Sequence, residues 1–171
     1  MKRFFGIWID LCLLRANPQD LPASGFLLGL TLLAYLTVNV ALSLLSWALP
    51  RALAVSLADL LVLSAFAWTA LQWRRKPARF RQTLTALTGT GAVLGLLALP
   101  MVAGLMAAQR AGSGAGALGL VWLALVVWSV VVLGHILRHA LSVSFGSGIA
   151  LGVLYTVLSY GLAQVLFGAV T

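Results

Sequence analysis

Long apolar stretches separated by short polar clusters make up most of the chain. From residue 25 onward each stretch contains twenty or more mostly apolar residues. An α-helix needs about 20 such residues to cross the hydrocarbon core of a membrane. Proline, glycine and basic residues mark the breaks between the stretches. The pattern predicts five transmembrane helices, at about residues 25–49, 52–72, 82–108, 118–137 and 146–168.

The first sixteen residues follow a different pattern, in which apolar positions recur with the period of a helix. Phe4, Phe5, Trp8, Leu11 and Cys12 fall on one helical face, and the charged residues fall elsewhere. A segment this short and this charged does not span a membrane. We predict an amphipathic helix at the membrane interface over residues 1–16. The alternative is a frayed extension of the first span.

Two turns are predicted from proline. Asp20 lies between two prolines, and we expect it to cap the first spanning helix, with Pro22 in the first turn of that helix. Pro50 and Arg51 are expected to form a tight turn between the first and second spans.

Small and polar residues recur along one side of three spans and predict close helix packing. In the first span the polar stripe consists of Thr31, Tyr35, Asn39, Ser43 and Ser46. In the third span the small-residue face consists of Thr85, Thr88, Gly91, Ala92 and Gly95. In the fifth span the seam consists of Gly148, Gly152, Thr156, Ser159 and Ala163.

Composition agrees with a membrane protein. The chain is 62% hydrophobic and 8% charged, whereas a soluble domain carries about 25% charged residues. The excess apolar surface must face lipid, and loops no longer than about a dozen residues leave no room for a soluble domain. We predict an all-α fold over residues 1–171, a polytopic membrane helical bundle of five transmembrane helices preceded by a short interfacial amphipathic helix.

Lys and Arg are unevenly divided between the two sets of loops. The N-terminal segment contains three, the connection at residues 74–81 contains five and Arg138 adds one, whereas the other side has only Arg51 and Arg110. Loops rich in Lys and Arg stay on the cytoplasmic side. We predict a multi-pass protein of the cell inner (cytoplasmic) membrane, with its N-terminus cytoplasmic and its C-terminus outside.

The net charge of +8 arises at the span ends, which favours contact with anionic lipid headgroups and excludes a nucleic-acid partner. We predict a basic platform for lipid or an acidic protein surface; the alternative is that these charges only orient the chain. The platform residues are Asp20, Arg74, Arg75, Lys76, Arg79, Arg81, His135, Arg138 and His139.

Asp59 is the acidic residue within a predicted span, and Asn39 and Ser56 are its candidate polar neighbours. A carboxylate in hydrocarbon costs several kcal/mol unless it is protonated, paired or hydrated. One interpretation is a proton- or ion-coupled site. The other, which we favour because five spans do not divide into equal repeats, is a hydrogen-bonded acid that holds helices together.

Other candidate chemistry is weak. His135 and His139 have a spacing that can bind a metal, but the glutamate of a His-Glu-x-x-His motif is absent and Arg138 lies between them. No serine occurs in a Gly-x-Ser-x-Gly motif, and the single Cys12 permits no intrachain disulfide. We predict no metal site, no cofactor, no catalytic residues and no enzymatic activity.

The layout resembles that of the Yip family (Ypt-interacting membrane proteins) and its bacterial relatives, which have five spans and an inside N-terminus. Asp20-Leu21-Pro22 followed by Phe26 is similar to the family's Asp-Leu-Tyr-Gly-Pro motif, although its Tyr and Gly are absent here. Gly89-Thr90-Gly91 lies where the family has glycine-rich helix contacts. The resemblance implies a membrane role in trafficking or organisation without a defined reaction.

We therefore predict a scaffold or membrane-organisation factor that contacts lipid and either another membrane protein or a second copy of this chain. The alternative is a small transporter or channel that uses Asp59. The two differ in one observable feature. A transporter places Asp59 in a polar cavity with Asn39 or Ser56 that opens to one face, whereas a packing protein seals Asp59 between helices.

Overall fold

The computed structural model describes residues 2–112, 114 and 116–168, and all regular secondary structure among them is helical. The α-helices are α1 (Lys2–Cys12), α2 (Gly25–Leu44), α3 (Leu49–Trp73), α4 (Phe80–Arg110), α5 (Gly116–Leu141) and α6 (Phe145–Phe167). Two short 3₁₀ turns, Pro18–Asp20 and Pro77–Arg79, precede α2 and α4.

Helices α2 to α6 are each long and apolar enough to cross a membrane. The predicted fold class, an all-α bundle with five spanning helices, is confirmed. The chain is an integral membrane protein. In the bundle α2 packs on α3 and α4, α4 packs on α5, α5 packs on α6, and α6 returns to α3, so the five helices form a closed ring of contacts.

The two ends of this ring are packed differently. One end carries α1, the connection from α3 to α4 and the turn from α5 to α6; we call it the basic end and the opposite one the distal end. Residues 83–90 of α4 are all buried, and every buried residue of α5 lies at or beyond Val132, towards the basic end. The distal halves of α5 and α6 instead expose large apolar side chains such as Leu120 and Val165. The bundle is closed at the basic end and looser at the distal end.

Glycines allow the predicted close contacts between helices. A Cβ atom on Gly134 of α5 would lie 2.9 Å from the backbone of Ile149, and one on Gly152 of α6 would lie 3.1 Å from the carbonyl oxygen of Val130. The first distance is shorter than real Cβ contacts and the second is tighter than most of them, so α5 and α6 approach backbone to backbone. The predicted seam at the start of the fifth span is confirmed.

The small-residue face of α4 is also confirmed as a contact surface. A Cβ atom on Gly91 would lie 2.5 Å from the ring of Tyr35 in α2. One turn earlier, the Thr88 hydroxyl donates a hydrogen bond of 3.0 Å to the Thr31 hydroxyl, also in α2. The polar stripe of the first span thus faces another helix at these positions.

The amphipathic helix α1 packs into the basic end of the bundle. Trp8, Leu11 and Cys12 are buried, and the Trp8 ring lies against Gly89 of α4. The Trp128 indole of α5 donates a hydrogen bond of 3.0 Å to the Cys12 carbonyl. Burial raises the pKa of the Cys12 thiol to about 11, so the thiol stays protonated at neutral pH. The predicted positions of the Phe4 and Phe5 side chains lie outside the described part of the chain.

Both proline-based turn predictions are wrong in detail. Pro50 and Arg51 lie in the first turn of α3, and the chain reverses before them, at residues 45–48. Proline suits the first turn of a helix because the N–H that it lacks has no partner there. Asp20 accepts a hydrogen bond of 2.7 Å from the Asn17 backbone rather than capping α2.

The residue that caps α2 is Ser24, whose hydroxyl accepts a hydrogen bond from the Leu27 backbone. Serine is favoured at this position because its oxygen satisfies one of the free backbone N–H groups of the first helical turn. Pro22 consequently lies ahead of the helix, in the link that joins the 3₁₀ turn to α2.

Candidate intramembrane binding site

Asp59 lies deep within the spanning part of α3. It follows the first residue of that helix, Leu49, by ten positions, which corresponds to about 15 Å at about 1.5 Å per residue. Its side chain is half-buried. The carboxyl group is therefore near the middle of the bundle rather than at either interface.

Three hydroxyl groups donate hydrogen bonds to the Asp59 carboxylate. Tyr35 of α2 contacts Oδ2 at 2.5 Å. Tyr155 and Ser159 of α6 contact Oδ1 at 3.1 and 2.5 Å. The carboxylate thus joins α2, α3 and α6 at one point. Hydrogen bonds donated by neutral hydroxyls stabilise a negative charge without cancelling it.

The contacts of Asp59 among the described residues are hydroxyls, and no salt bridge to its carboxylate is formed there. Oδ1 accepts two hydrogen bonds and Oδ2 accepts one, whereas an ionised carboxylate has about four acceptor positions in total. One position on Oδ2 is therefore available for a further donor. This arrangement differs from a buried ion pair, in which a neighbouring Lys or Arg neutralises the charge.

A cavity of about 410 Å³ adjoins Asp59, and we call it the polar cavity. It reaches the protein surface beside Tyr160, Leu162 and Leu166, which are exposed side chains in the distal half of α6. Its volume falls within the range of about 300–1,000 Å³ that is usual for ligand pockets. Its polar lining residues are Tyr35, Asn39, Ser43, Ser56, Asp59, Ser129, Tyr155, Thr156, Ser159 and Tyr160.

A second cavity, of about 230 Å³, lies between α4 and α5, and we call it the apolar cavity. Leu94 and Ala98 of α4 and Val126 of α5 form part of its wall. It adjoins the polar cavity, because the two share lining residues from three helices. The shared residues are Tyr35, Asn39, Ser129, Tyr155 and Thr156.

The predicted neighbours Asn39 and Ser56 line the polar cavity together with Asp59. Neither is hydrogen-bonded to the carboxylate. The Asn39 amide donates to the Tyr35 carbonyl at 3.0 Å, and the Ser56 hydroxyl lies 3.4 Å from that of Ser43. The three residues that the sequence analysis grouped together therefore line one cavity, but the hydrogen-bond donors to Asp59 are other residues.

The donors that the sequence analysis did not assign to Asp59 are on α2 and α6. Tyr35 belongs to the polar stripe of α2, and Ser159 belongs to the seam of α6. Tyr155 precedes Ser159 by one helical turn and therefore lies on the same side of α6. The available signal was the stripe itself, because a polar stripe directed at other helices needs polar partners on them.

At the basic end, two cations of the predicted platform bind the C-terminus of α5. Lys76 Nζ donates to the Leu141 carbonyl at 3.2 Å. The Arg79 guanidinium donates to the carbonyls of His139 and Ala140 at 3.3 and 3.1 Å. Positive charge at a helix C-terminus complements the helix dipole. Desolvation, then the neighbouring Arg79 and Arg74, lower the pKa of Lys76.

Other platform residues are divided between the surface and the interior. Arg74, Arg75 and Arg81 are exposed, whereas Arg138 is half-buried and lies 5.4 Å from the centre of the Phe145 ring. His135 is buried, and its Nε2 is 3.0 Å from the Ala16 carbonyl, so it holds the segment after α1 instead of facing a partner.

The remaining member of the pair, His139, packs edge-on against His135 with 4.6 Å between ring centres. Within the described ranges no third His, Cys, Asp or Glu joins them to make a metal-binding cluster. The two rings contact each other, and the His135 ring also contacts the backbone of the segment that links α1 to α2.

Compared with known proteins, the chain matches no family model, no curated protein and no solved structure.

Proposed function

We propose that the protein is a small transporter that binds a cation at Asp59 inside the membrane. The observation that carries this proposal is that the carboxylate, held by three hydroxyls, lies beside a cavity that reaches the protein surface. This is the feature by which a transporter differs from a packing protein, and it favours the alternative that the sequence analysis ranked second. An acid whose only task is to join helices has no need of such a cavity.

The chemistry follows from having one carboxylate. Either a proton or a cation on the carboxylate offsets the cost of its charge in hydrocarbon. When a cation replaces the proton, the O–H bond of the carboxyl breaks, the proton leaves through the polar cavity to water, and the cation pairs with the carboxylate. Proton and cation compete for one group, so their movements across the membrane are coupled in opposite directions.

For orientation we propose the cell inner (cytoplasmic) membrane, with the basic end in the cytoplasm. The bias of nine Lys and Arg residues against two supports it. The polar cavity then opens towards the outside. Release to the cytoplasm requires the basic end to loosen, where Trp8 and Leu11 of α1 pack against the bundle.

A role as a scaffold or trafficking-type factor, as the Yip resemblance implies, stays a second proposal. The exposed side chains of Arg74, Arg75 and Arg81 support it, because each basic group near an anionic membrane surface contributes about 1 kcal/mol of attraction. The engagement of Lys76 and Arg79 by α5 leaves fewer cations for a partner than the sequence suggests.

The transport proposal is tested in proteoliposomes that contain a pH-sensitive dye. Addition of tetramethylammonium outside should raise the internal pH, because cation uptake is coupled to proton release. Asp59→Asn should abolish the change while the protein elutes as a folded species from a sizing column, since the amide keeps the size of the carboxyl group. Asp10→Asn, which alters an exposed acid of α1, serves as the matched control and should behave like the wild type.

Two results would contradict the proposal. One is a pH change that survives Asp59→Asn. The other is the absence of any pH change or binding with tetramethylammonium, sodium and potassium in folded wild-type protein.

A further inference from the structure

The polar and apolar cavities together have the shape of a site for a molecule with two unlike ends. Tyr35 and Tyr155 belong to both linings, and their hydroxyls donate to Asp59. The two cavities adjoin at these side chains, so a group bound at the carboxylate lies at the edge of the apolar cavity. An inorganic cation would occupy only the polar cavity and leave the apolar cavity without a role.

The apolar cavity is large enough for an organic group. It measures about 230 Å³, and an apolar cavity of about 150 Å³ is sufficient to bind benzene. Its wall includes Leu94, Ala98 and Val126, so an occupant gains from removal of apolar surface from water. The volume fits one ring or one short alkyl chain.

The opening of the polar cavity also favours a lipid-soluble molecule. Tyr160, Leu162 and Leu166, at which the cavity reaches the surface, belong to a helix that spans the membrane. These residues lie in the last two turns of that helix, so the opening borders acyl chains on one side and the water of the distal interface on the other. A molecule dissolved in the bilayer can reach Asp59 through this opening without first crossing water.

The geometry points to an amphiphilic organic cation as the substrate class: one ammonium head at Asp59 and one short apolar tail in the apolar cavity. The inference rests on the proposed function, because both use the same carboxylate. Tyr35 and Tyr155 line the cavities beside Asp59, and aromatic rings attract ammonium groups. The head can be a primary ammonium, which donates to the free position on Oδ2, or a quaternary ammonium, which relies on charge and the rings.

The test compares cations that differ only in tail length, with the wild-type protein in lipid nanodiscs. Affinities are measured for tetramethylammonium and for butyl-, hexyl- and octyltrimethylammonium, with signals from empty nanodiscs subtracted. We expect about a fourfold gain in affinity for each methylene buried, followed by a plateau once the apolar cavity is full. Hexylammonium, measured in parallel, distinguishes a primary from a quaternary head.

Two neighbouring residues supply a matched pair of variants. Val126 lines the apolar cavity, whereas Val127 is 56% exposed on the outside of α5. Val126→Phe should reduce the affinity for hexyltrimethylammonium at least tenfold and leave that for tetramethylammonium unchanged. Val127→Phe should change neither. Thermal unfolding of both variants checks that each is folded.

The outcomes separate this inference from the proposed function. If tetramethylammonium binds in an Asp59-dependent manner but a longer tail does not raise the affinity, the proposal of an amphiphilic substrate is wrong and that of cation transport stands. The same conclusion follows if Val126→Phe and Val127→Phe change the affinities equally. If hexanoate or hexanol binds as tightly as hexylammonium, the cationic head is wrong. If no cation binds at all, both proposals fall.

Discussion

At the residue scale, hydroxyl groups rather than a Lys or Arg side chain stabilise the acid that lies within the membrane. Tyr35, Tyr155 and Ser159 reach Asp59 from two other helices. A Lys or Arg in their place would pair with the acid and neutralise its charge. Hydroxyl donors lower the cost of the charge and keep it available.

A first prediction concerns the Tyr155 hydroxyl. Tyr155→Phe removes one donor from Asp59 and should reduce the free energy of unfolding by about 0.5–3 kcal/mol, a range that covers hydrogen bonds to neutral and to charged groups. Tyr160→Phe is the control, because Tyr160 lines the same cavity but is 68% exposed. Unfolding in a denaturing detergent measures both. Equal losses in the two variants would show that the hydroxyl bond to Asp59 contributes nothing.

At the scale of the elements, glycines of α4 allow neighbouring helices to approach closely, and each glycine contacts one large side chain of a neighbour. Gly89 receives Trp8 of α1, and Gly91, two positions on, receives Tyr35 of α2. These two glycines of α4 thus contact α1 on one side of the helix and α2 on another. The packing of α1 is thereby linked to the position of Tyr35, a donor to Asp59.

The docking of α1 can be tested at Gly89. Gly89→Leu places a side chain where the Trp8 ring lies, and overpacking of this kind costs about 1–3 kcal/mol. We expect α1 to detach and trypsin to cleave faster after Arg15, which is exposed at the end of this segment. The control is Gly29→Leu, at which a new side chain meets no neighbour within 4 Å. Unchanged cleavage in the Gly89 variant would mean that Trp8 does not hold α1.

The helices themselves were predictable from sequence, because the length of an apolar stretch is fixed by membrane thickness. The connections between helices were less predictable, because proline occurs both in loops and in the first turn of a helix. Pro50 lies in the first turn of α3. Asp59 was recognisable as the candidate residue from its depth alone. Its donors were not, because they depend on how α3 and α6 align, and no local pattern specifies the register of two helices distant in sequence.

At the scale of the whole molecule, positive charge and close packing are both concentrated at the basic end. The end that carries nine of the eleven Lys and Arg residues is also the closely packed one, and Lys76 and Arg79 contribute to both by binding the last carbonyls of α5. The opposite end has two basic residues and the looser packing that leaves the polar cavity open. If the basic end is cytoplasmic, the cavity faces outwards.

This arrangement predicts which positions react with a membrane-impermeant thiol reagent added to intact cells. In a Cys12→Ser background, Ala163→Cys should be labelled, because Ala163 lines the polar cavity in the distal half of α6. Tetramethylammonium should slow that labelling by occupying the cavity. Arg110→Cys, at the distal end of α4, should be labelled regardless of the cation, and Lys76→Cys should react only after the membrane is permeabilised.

Each alternative result has a distinct meaning. Labelling of Lys76→Cys with protection of Arg110→Cys in intact cells would reverse the orientation and place the cavity opening in the cytoplasm. Protection of Ala163→Cys both before and after permeabilisation, with Arg110→Cys labelled, would mean that water does not enter the cavity, and a proton could not leave Asp59 by that route. Equal labelling of Ala163→Cys with and without tetramethylammonium would show that the cation does not bind there. The orientation, the opening and the binding site are thus tested separately on one set of variants.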